Sequence, residues 1–243
     1  MEMTADNIKK AVAPSESFYE RTSLMLGEEA VEKLRGASVI VFGLGGVGGF
    51  VVEALARGGV GTLGLVDMDT VAYSNLNRQI IATQSTLGML KTEAARERVL
   101  SINPSTRVHT YPVFYRNGEE GMPPLGEYSF AVDAIDTVTS KLDLIEAAKS
   151  QGVPLISCMG TGNKLDPTRF RISDISKTRE DPLARAVRLG MKKRGLSGLE
   201  VLWSDEPPVH TGTRTPGSVS FVPSAAGLII GGEVIKRIVG YKR

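Results

Sequence analysis

Apolar residues along this chain fall into short runs that alternate between two spacings. From Phe18 to Arg35, the positions Leu24, Leu26, Ala30, Val31 and Leu34 follow a helical period, and Gly27 before Glu28 and Glu29 marks a break and restart. Two short helices are therefore expected ahead of the first strand. Ser38–Phe42 is a nearly continuous apolar run, as a strand buried on both faces requires, and it leads directly into Gly43-Leu44-Gly45-Gly46-Val47-Gly48. Val51, Val52, Leu55 and Ala56 then carry a helix that stops at Gly58-Gly59, and Thr62–Val66 reads as a second strand.

The alternation continues with a helix from about Gly88 to Ile102, strands at Val108–Tyr111 and Phe130–Ala134, a helix at Thr139–Gln151 and a strand at Pro154–Cys158. Ser224–Val239 reads as a closing helix, whose Gly227, Gly231 and Gly232 call for close packing against a neighbour. After Gly162 the pattern loosens through Asp166-Pro167 and Asp181-Pro182, so residues 164 to 218 are expected to form an insertion facing the substrate. Strands alternating with helices predict an α/β, Rossmann-like doubly wound and mostly parallel sheet, with ligands at the carboxyl ends of its strands. The 243 residues suit a single domain over 1 to 243, with a loosely ordered lead over 1 to 17.

Composition narrows the function classes. A net charge of +2 makes no global case for a nucleic-acid partner, so any such footprint has to be local. Cys158 is the sole cysteine, which excludes an internal disulfide and a cysteine-based structural zinc site. No apolar run approaches the roughly 18 residues of a membrane span. A soluble, cytoplasmic protein is expected.

Candidate chemistry begins at the glycine turn. Gly43 permits the tight turn, Gly45 lets backbone approach a phosphate, and Gly48 lets the following helix pack close to the strand. The start of that helix offers free N–H groups to an anion. Asp67 stands 19 positions beyond Gly48, near the spacing at which a carboxylate meets a ribose. A nucleotide site is predicted, and the fingerprint alone serves a nicotinamide cofactor as well as ATP. The loop from Asp67 to Gln79 adds Arg78, and Lys91 follows. Fixed cations of this kind suit a triphosphate that is to lose pyrophosphate.

Taken together, Gly43 to Gly48 including Gly46, Asp67-x-Asp69, Asn75-Leu76-Asn77-Arg78-Gln79, Lys91 and Asp133-Ala134-Ile135-Asp136 resemble the adenylation site of the ThiF/MoeB/ubiquitin-activating superfamily. The resemblance covers roughly residues 18 to 165 and the closing helix. It implies that Asp67 holds the ribose, that Asn75, Arg78, Gln79 and Lys91 hold the phosphates, and that Asp136 holds Mg²⁺ beside the α-phosphate. It also implies a homodimer in which Arg21, from Tyr19-Glu20-Arg21-Thr22, reaches the partner's site.

Members that charge sulfur-carrier proteins commonly carry paired CxxC motifs, which this chain lacks, and Cys158 ends an apolar strand where it reads as a core residue. Lys164 to Arg194, through Asp166-Pro167-Thr168, Ile172-Ser173-Asp174, Lys177-Thr178 and Asp181-Pro182-Leu183-Ala184, resembles the threonylcarbamoyladenosine dehydratases. That subgroup implies adenylation of the threonyl carboxylate of threonylcarbamoyladenosine at tRNA position 37 and ring closure with loss of water. It further implies a monovalent cation, whose ligands these residues do not identify, and a sulfur-acceptor or cysteine-desulfurase partner. The same segment holds ten lysines and arginines against four acids, a surplus that suits an RNA backbone through Arg185, Arg188, Lys192, Lys193 and Arg194. Three rivals remain open: an activating enzyme for a small sulfur-carrier protein, a nucleotide-binding dimerisation partner without turnover, and a nicotinamide dehydrogenase. The last is disfavoured because His109 and His210, the only histidines, occupy no donor-acceptor arrangement.

Overall fold

A computed structural model describes residues 17–213 and 215–241. Except for Ser17, the lead expected over 1 to 17 lies outside the described residues. The sheet has seven strands: β1 (Ser38–Phe42), β2 (Thr62–Val66), β3 (Arg107–Tyr111), β4 (Phe130–Asp133), β5 (Leu155–Cys158), β6 (Phe170–Asp174) and β7 (Glu200–Ser204). Their order is β3-β2-β1-β4-β5-β7-β6. All neighbours run parallel except β6, which lies antiparallel to β7 at the edge.

Among the described residues, seven α-helices flank this sheet. The N-terminal pair, α1 (Glu20–Leu26) and α2 (Glu28–Gly36), is separated by Gly27 at φ +88°. Glu28 and Glu29 open α2 and Lys33 and Arg35 close it, charges that suit the two ends of the helix dipole. Together with α3 (Gly48–Gly58), α4 (Lys91–Ile102) and α7 (Phe221–Val239), α2 covers one face of the sheet. The other face is covered by α5 (Val138–Gln151) and α6 (Pro182–Lys193).

Alternate strand residues feed the two layers. Val39, Val41, Leu63 and Leu65 join the core under α3, whereas Ile40 and Phe42 pack with Leu144 of α5. Burying a side chain such as Leu55 contributes about 1.5–3 kcal/mol. The expected close approach of the closing helix is met by α3 at two of the three glycines: a Cβ on Gly227 would fall 2.4 Å from the Val47 carbonyl oxygen and one on Gly231 2.6 Å from the Ala54 Cβ, whereas one on Gly232 would meet open space.

Residues 164 to 218, where the apolar pattern loosens, contain β6, β7 and α6, which complete the sheet and one of its faces. The Asp181-Pro182 step is a helix start, not a loosening: the Asp181 carboxylate accepts the Ala184 N–H at 2.9 Å and Pro182 opens the helix. The same carboxylate accepts the Gly160 N–H at 3.0 Å, tying α6 to the end of β5. No helix among the described residues is long and apolar enough to cross a membrane.

Candidate active site

Strand order reverses direction between β1 and β4, and the chain leaves both strands at the same edge. A cavity of about 390 Å³ opens there, the place where doubly wound sheets bind ligands. The register sets Phe42 beside Asp133, so Gly43 meets the Ala134 turn directly. A Cβ on Gly43, whose φ is +85°, would come 2.7 Å from the Ala134 carbonyl oxygen, and one on Gly48 would come 1.7 Å from that of Gly43. Only glycine fits either position. Gly43, Gly45 and Gly46 line the cavity, while Gly48 stands behind them as the packing contact. The first turn of α3 has no capping side chain and no acid; Gly49 and Phe50 donate their N–H groups to the Gly45 and Val47 carbonyls, so the backbone that faces the cavity at the positive dipole end is that of Gly45, Gly46 and Val47.

Across from that turn lies a linked set of charges. Asp67 receives the Leu44 N–H on Oδ2 at 2.7 Å and the Asp69 N–H on Oδ1 at 2.9 Å. Burial raises its carboxyl above the ordinary value, against the opposing pull of Lys91. The Lys91 ammonium is buried, 2.8 Å from Asp69 Oδ2 and 3.9 Å from Asp67 Oδ2. It is a fixed cation on the cavity wall. Arg78 is half-buried on the same wall, its Nη1 donating to the Ser74 carbonyl and to Asn77 Oδ1, both at 2.9 Å. Gln79 is buried beside it, and its Oε1 has no hydrogen-bond partner. Asn75 does not reach the cavity lining: it is buried in the turn, where its Oδ1 accepts the Ala72 N–H at 3.0 Å.

Asp136 and Thr137 close the opposite side, with Asp136 exposed and accepting the Thr137 hydroxyl at 3.3 Å. Beneath them sits an ion pair that sequence reasoning passed over. Lys141 and Asp133, both 0% exposed, meet at 2.9 Å, and the Ser157 hydroxyl donates to the same carboxylate. The other Asp133 oxygen accepts the Ile135 N–H at 3.0 Å and so braces the turn that carries Asp136. A lysine on the core-facing side of a predicted helix was the available signal. Ser140 also lines the cavity, and its buried hydroxyl has no partner. The apolar wall, Phe42, Val66, Met68, Val113 and Phe114, includes two residues from the irregular stretch after β3, for which no sequence signal existed.

The remaining candidates lie elsewhere. Arg21 is exposed on α1, outside the cavity lining, as are His109 and His210. Cys158 is buried, and burial pushes its thiol up to about 12, so it offers no ready nucleophile. On α6, Arg185, Lys192 and Lys193 are exposed. Arg188 is instead bound to Thr178, and Arg194 pairs with Asp143 at 2.7 Å and Glu146 at 2.9 Å. The expected basic surplus is thereby reduced, because acids outside the segment, including Asp205, neutralise part of it.

The sequence profile of the ThiF family matches residues 19–243. The chain is 41% identical over 237 residues to the tRNA threonylcarbamoyladenosine dehydratase of Bacillus subtilis (strain 168), covering 89% of this chain and 92% of that protein. The structure is also similar to that of E. coli tRNA N6-threonylcarbamoyladenosine dehydratase in complex with ATP, with a TM-score of 0.84 and 32% identity over 94% of this chain and 98% of that one. The AMP complex of the same enzyme gives a TM-score of 0.85 at 32% identity, over 95% and 98% of the two chains. With its glycine turn, its paired aspartates and its cavity at the β1/β4 switch, the chain belongs to the ThiF family.

Proposed function

We propose that this protein is an ATP-dependent dehydratase that adenylates the threonyl carboxylate of threonylcarbamoyladenosine in tRNA and closes it into a ring. The observation that carries the reading is the pairing, across one cavity, of an uncapped helix start with the fixed cations Arg78 and Lys91. The names of the similar enzymes, and the ATP and AMP complexes of one of them, support it. ATP fits this donor set: the apolar wall suits a base, Asp67 a ribose, and the α3 turn with Arg78, Gln79 and Lys91 the phosphates. The partnerless Gln79 Oε1 and Ser140 hydroxyl on the wall are polar groups that a ligand would satisfy.

A free carboxylate is a poor electrophile, which is why activation precedes ring closure. Its oxygen attacks the α-phosphorus, the bond to pyrophosphate breaks, and an acyl adenylate forms. The neighbouring carbamoyl group then attacks the activated carbonyl carbon, loses a proton and expels AMP. The balance is one water removed from the nucleoside. Arg78 and Lys91 stabilise the charge that develops on the phosphates. No three His, Cys, Asp or Glu side chains cluster to hold a metal among the described residues, so Mg²⁺ would be held by Asp136 together with the nucleotide's own phosphates.

The working unit in this reading is a homodimer. The outward side of α7 exposes Phe221, Leu228 and Ile229, and α1, which has no buried residue, exposes Leu24 at 76% and Met25 at 82%. A second copy would cover such surface and bring Arg21 toward the neighbouring cavity. The decisive assay combines protein, ATP, Mg²⁺ and threonylcarbamoyl-modified tRNA. AMP and a nucleoside lighter by one water are expected. An unchanged nucleoside after non-hydrolysing workup, with pyrophosphate exchange dependent on a carrier protein, would move the assignment to the sulfur-carrier activating enzymes.

A further inference from the structure

Three arginines converge on one carboxylate at the rim of the sheet. Arg169 Nε stands 2.8 Å from Asp205 Oδ1, while Arg171 and Arg179 each place Nη2 on Asp205 Oδ2, at 2.9 Å and 3.2 Å. Asp205 is only 7% exposed, whereas the guanidinium side chains are 41%, 52% and 69% exposed. The hydrogen bond from Arg169 holds the Asp205 carboxyl below its ordinary range, so the anion stays charged and the arginines stay gathered. Asp205 alone cannot balance three positive charges, although the Asp166 and Glu206 carboxylates also act on Arg169. Each guanidinium also carries five N–H donors, and most of them here point to no protein acceptor.

The surrounding backbone is braced. Lys164 is buried and donates to the Glu206 carbonyl at 2.6 Å, and the Glu206 carboxylate accepts the Leu165 and Asp166 N–H groups at 2.9 and 3.0 Å. Arg171 additionally lies over the Trp203 ring, 5.8 Å from its centre. Held this way, the arginines lose little freedom on meeting an anion, which favours binding.

Position gives the cluster its meaning. Asp205 follows β7, and β7 runs parallel to β5, so the cluster sits at the same carboxyl edge as the Asp136 turn after β4. Two strand spacings separate those columns, about 10 Å. Lys192 and Lys193 stand at the far end of α6, a helix of 12 residues and so about 18 Å long, whose Asp181 end is the one tied to the cavity edge. They therefore lie toward the opposite edge.

We propose that Arg169, Arg171 and Arg179 form a phosphodiester-binding site that seats the RNA backbone beside the reacting nucleoside, in place of the distal end of α6. The inference rests on the dehydratase reading above. Guanidinium forks match phosphate oxygens in pairs, and their residual charge exceeds what Asp205 neutralises. An acidic protein segment is the competing occupant, and the experiment separates the two.

The test measures binding of threonylcarbamoyl-modified tRNA across a salt series for wild type, Arg171→Gln/Arg179→Gln and Lys192→Gln/Lys193→Gln. Arg169 remains in the first variant to hold Asp205, and an unchanged melting temperature and ATP affinity establish that the fold and cavity are intact. Expected is a loss of tRNA affinity on the order of tenfold and a salt slope shallower by about 1.5. KM for tRNA should rise with kcat unchanged at saturation, and the lysine variant should behave as wild type. Wild-type affinity and slope in the arginine variant overturn the site, as does loss of binding to an acidic carrier protein with tRNA affinity retained. A wild-type protein that binds or converts no tRNA overturns the dehydratase reading itself, and the site with it.

Discussion

Arg78 and Asp136 face each other across the cavity but are held very differently, and their variants should differ accordingly. Arg78 is fixed by the Ser74 carbonyl and Asn77 Oδ1, both supplied by its own turn, so its charge is preorganised. Removing it in Arg78→Ala should cost about 2–4 kcal/mol of transition-state stabilisation, seen in kcat/KM with the fold unchanged. Asp136 is exposed and, among the described residues, its side chain bonds only to the adjacent Thr137, so Asp136→Ala should leave the melting temperature intact while abolishing AMP release. A near-wild-type rate in either variant would remove that residue from the chemistry. These residues, with Gly43, Asp67, Asp69, Gln79 and Lys91, were legible because each is a chemically conspicuous type at a spacing that strand, turn and helix lengths constrain. Asn75 was legible only as a member of the same run, and its geometry serves the turn instead.

At the level of elements, the helix α5 and the strands β4 and β5 share one buried charge pair. Lys141 and Asp133 are fully buried beside Ser157, where breaking such a pair costs about 3–5 kcal/mol because the survivor remains charged and alone. Lys141→Met should therefore lower thermal stability by about that amount. The double variant Lys141→Met/Asp133→Asn should recover most of it, as read by denaturant unfolding; equal loss in both would refute the argument. Element legibility followed burial. Ser38–Phe42 announced itself as a strand because both of its faces are covered and nearly every position is apolar. Phe170–Asp174 did not, because an edge strand of five residues with one exposed side mixes Arg171 and Asp174 among its apolar positions. Its neighbour Glu200–Ser204, though mostly buried, is equally short and is reached from a glycine-containing loop, which hid it.

For the whole molecule, the homodimer proposed above places its contact on the exposed apolar helix surface. Leu228 and Ile229 project from α7 while the opposite side of that helix is packed on α3. Leu228→Glu/Ile229→Glu should convert a dimer to monomer in sedimentation equilibrium and reduce turnover, leaving ATP affinity of the monomer near that of wild type. A dimer that persists in this variant would place the contact elsewhere. The two rims of the sheet tell the complementary story. One is β3, with Arg107 and His109 exposed, and the other is β6, five residues long, with Arg171 exposed and Pro167 just ahead of it. Ionisable side chains and brevity make both rims poor templates for an incoming foreign strand, so the antiparallel strand that finishes the sheet also guards the fold against fibrillar polymerisation.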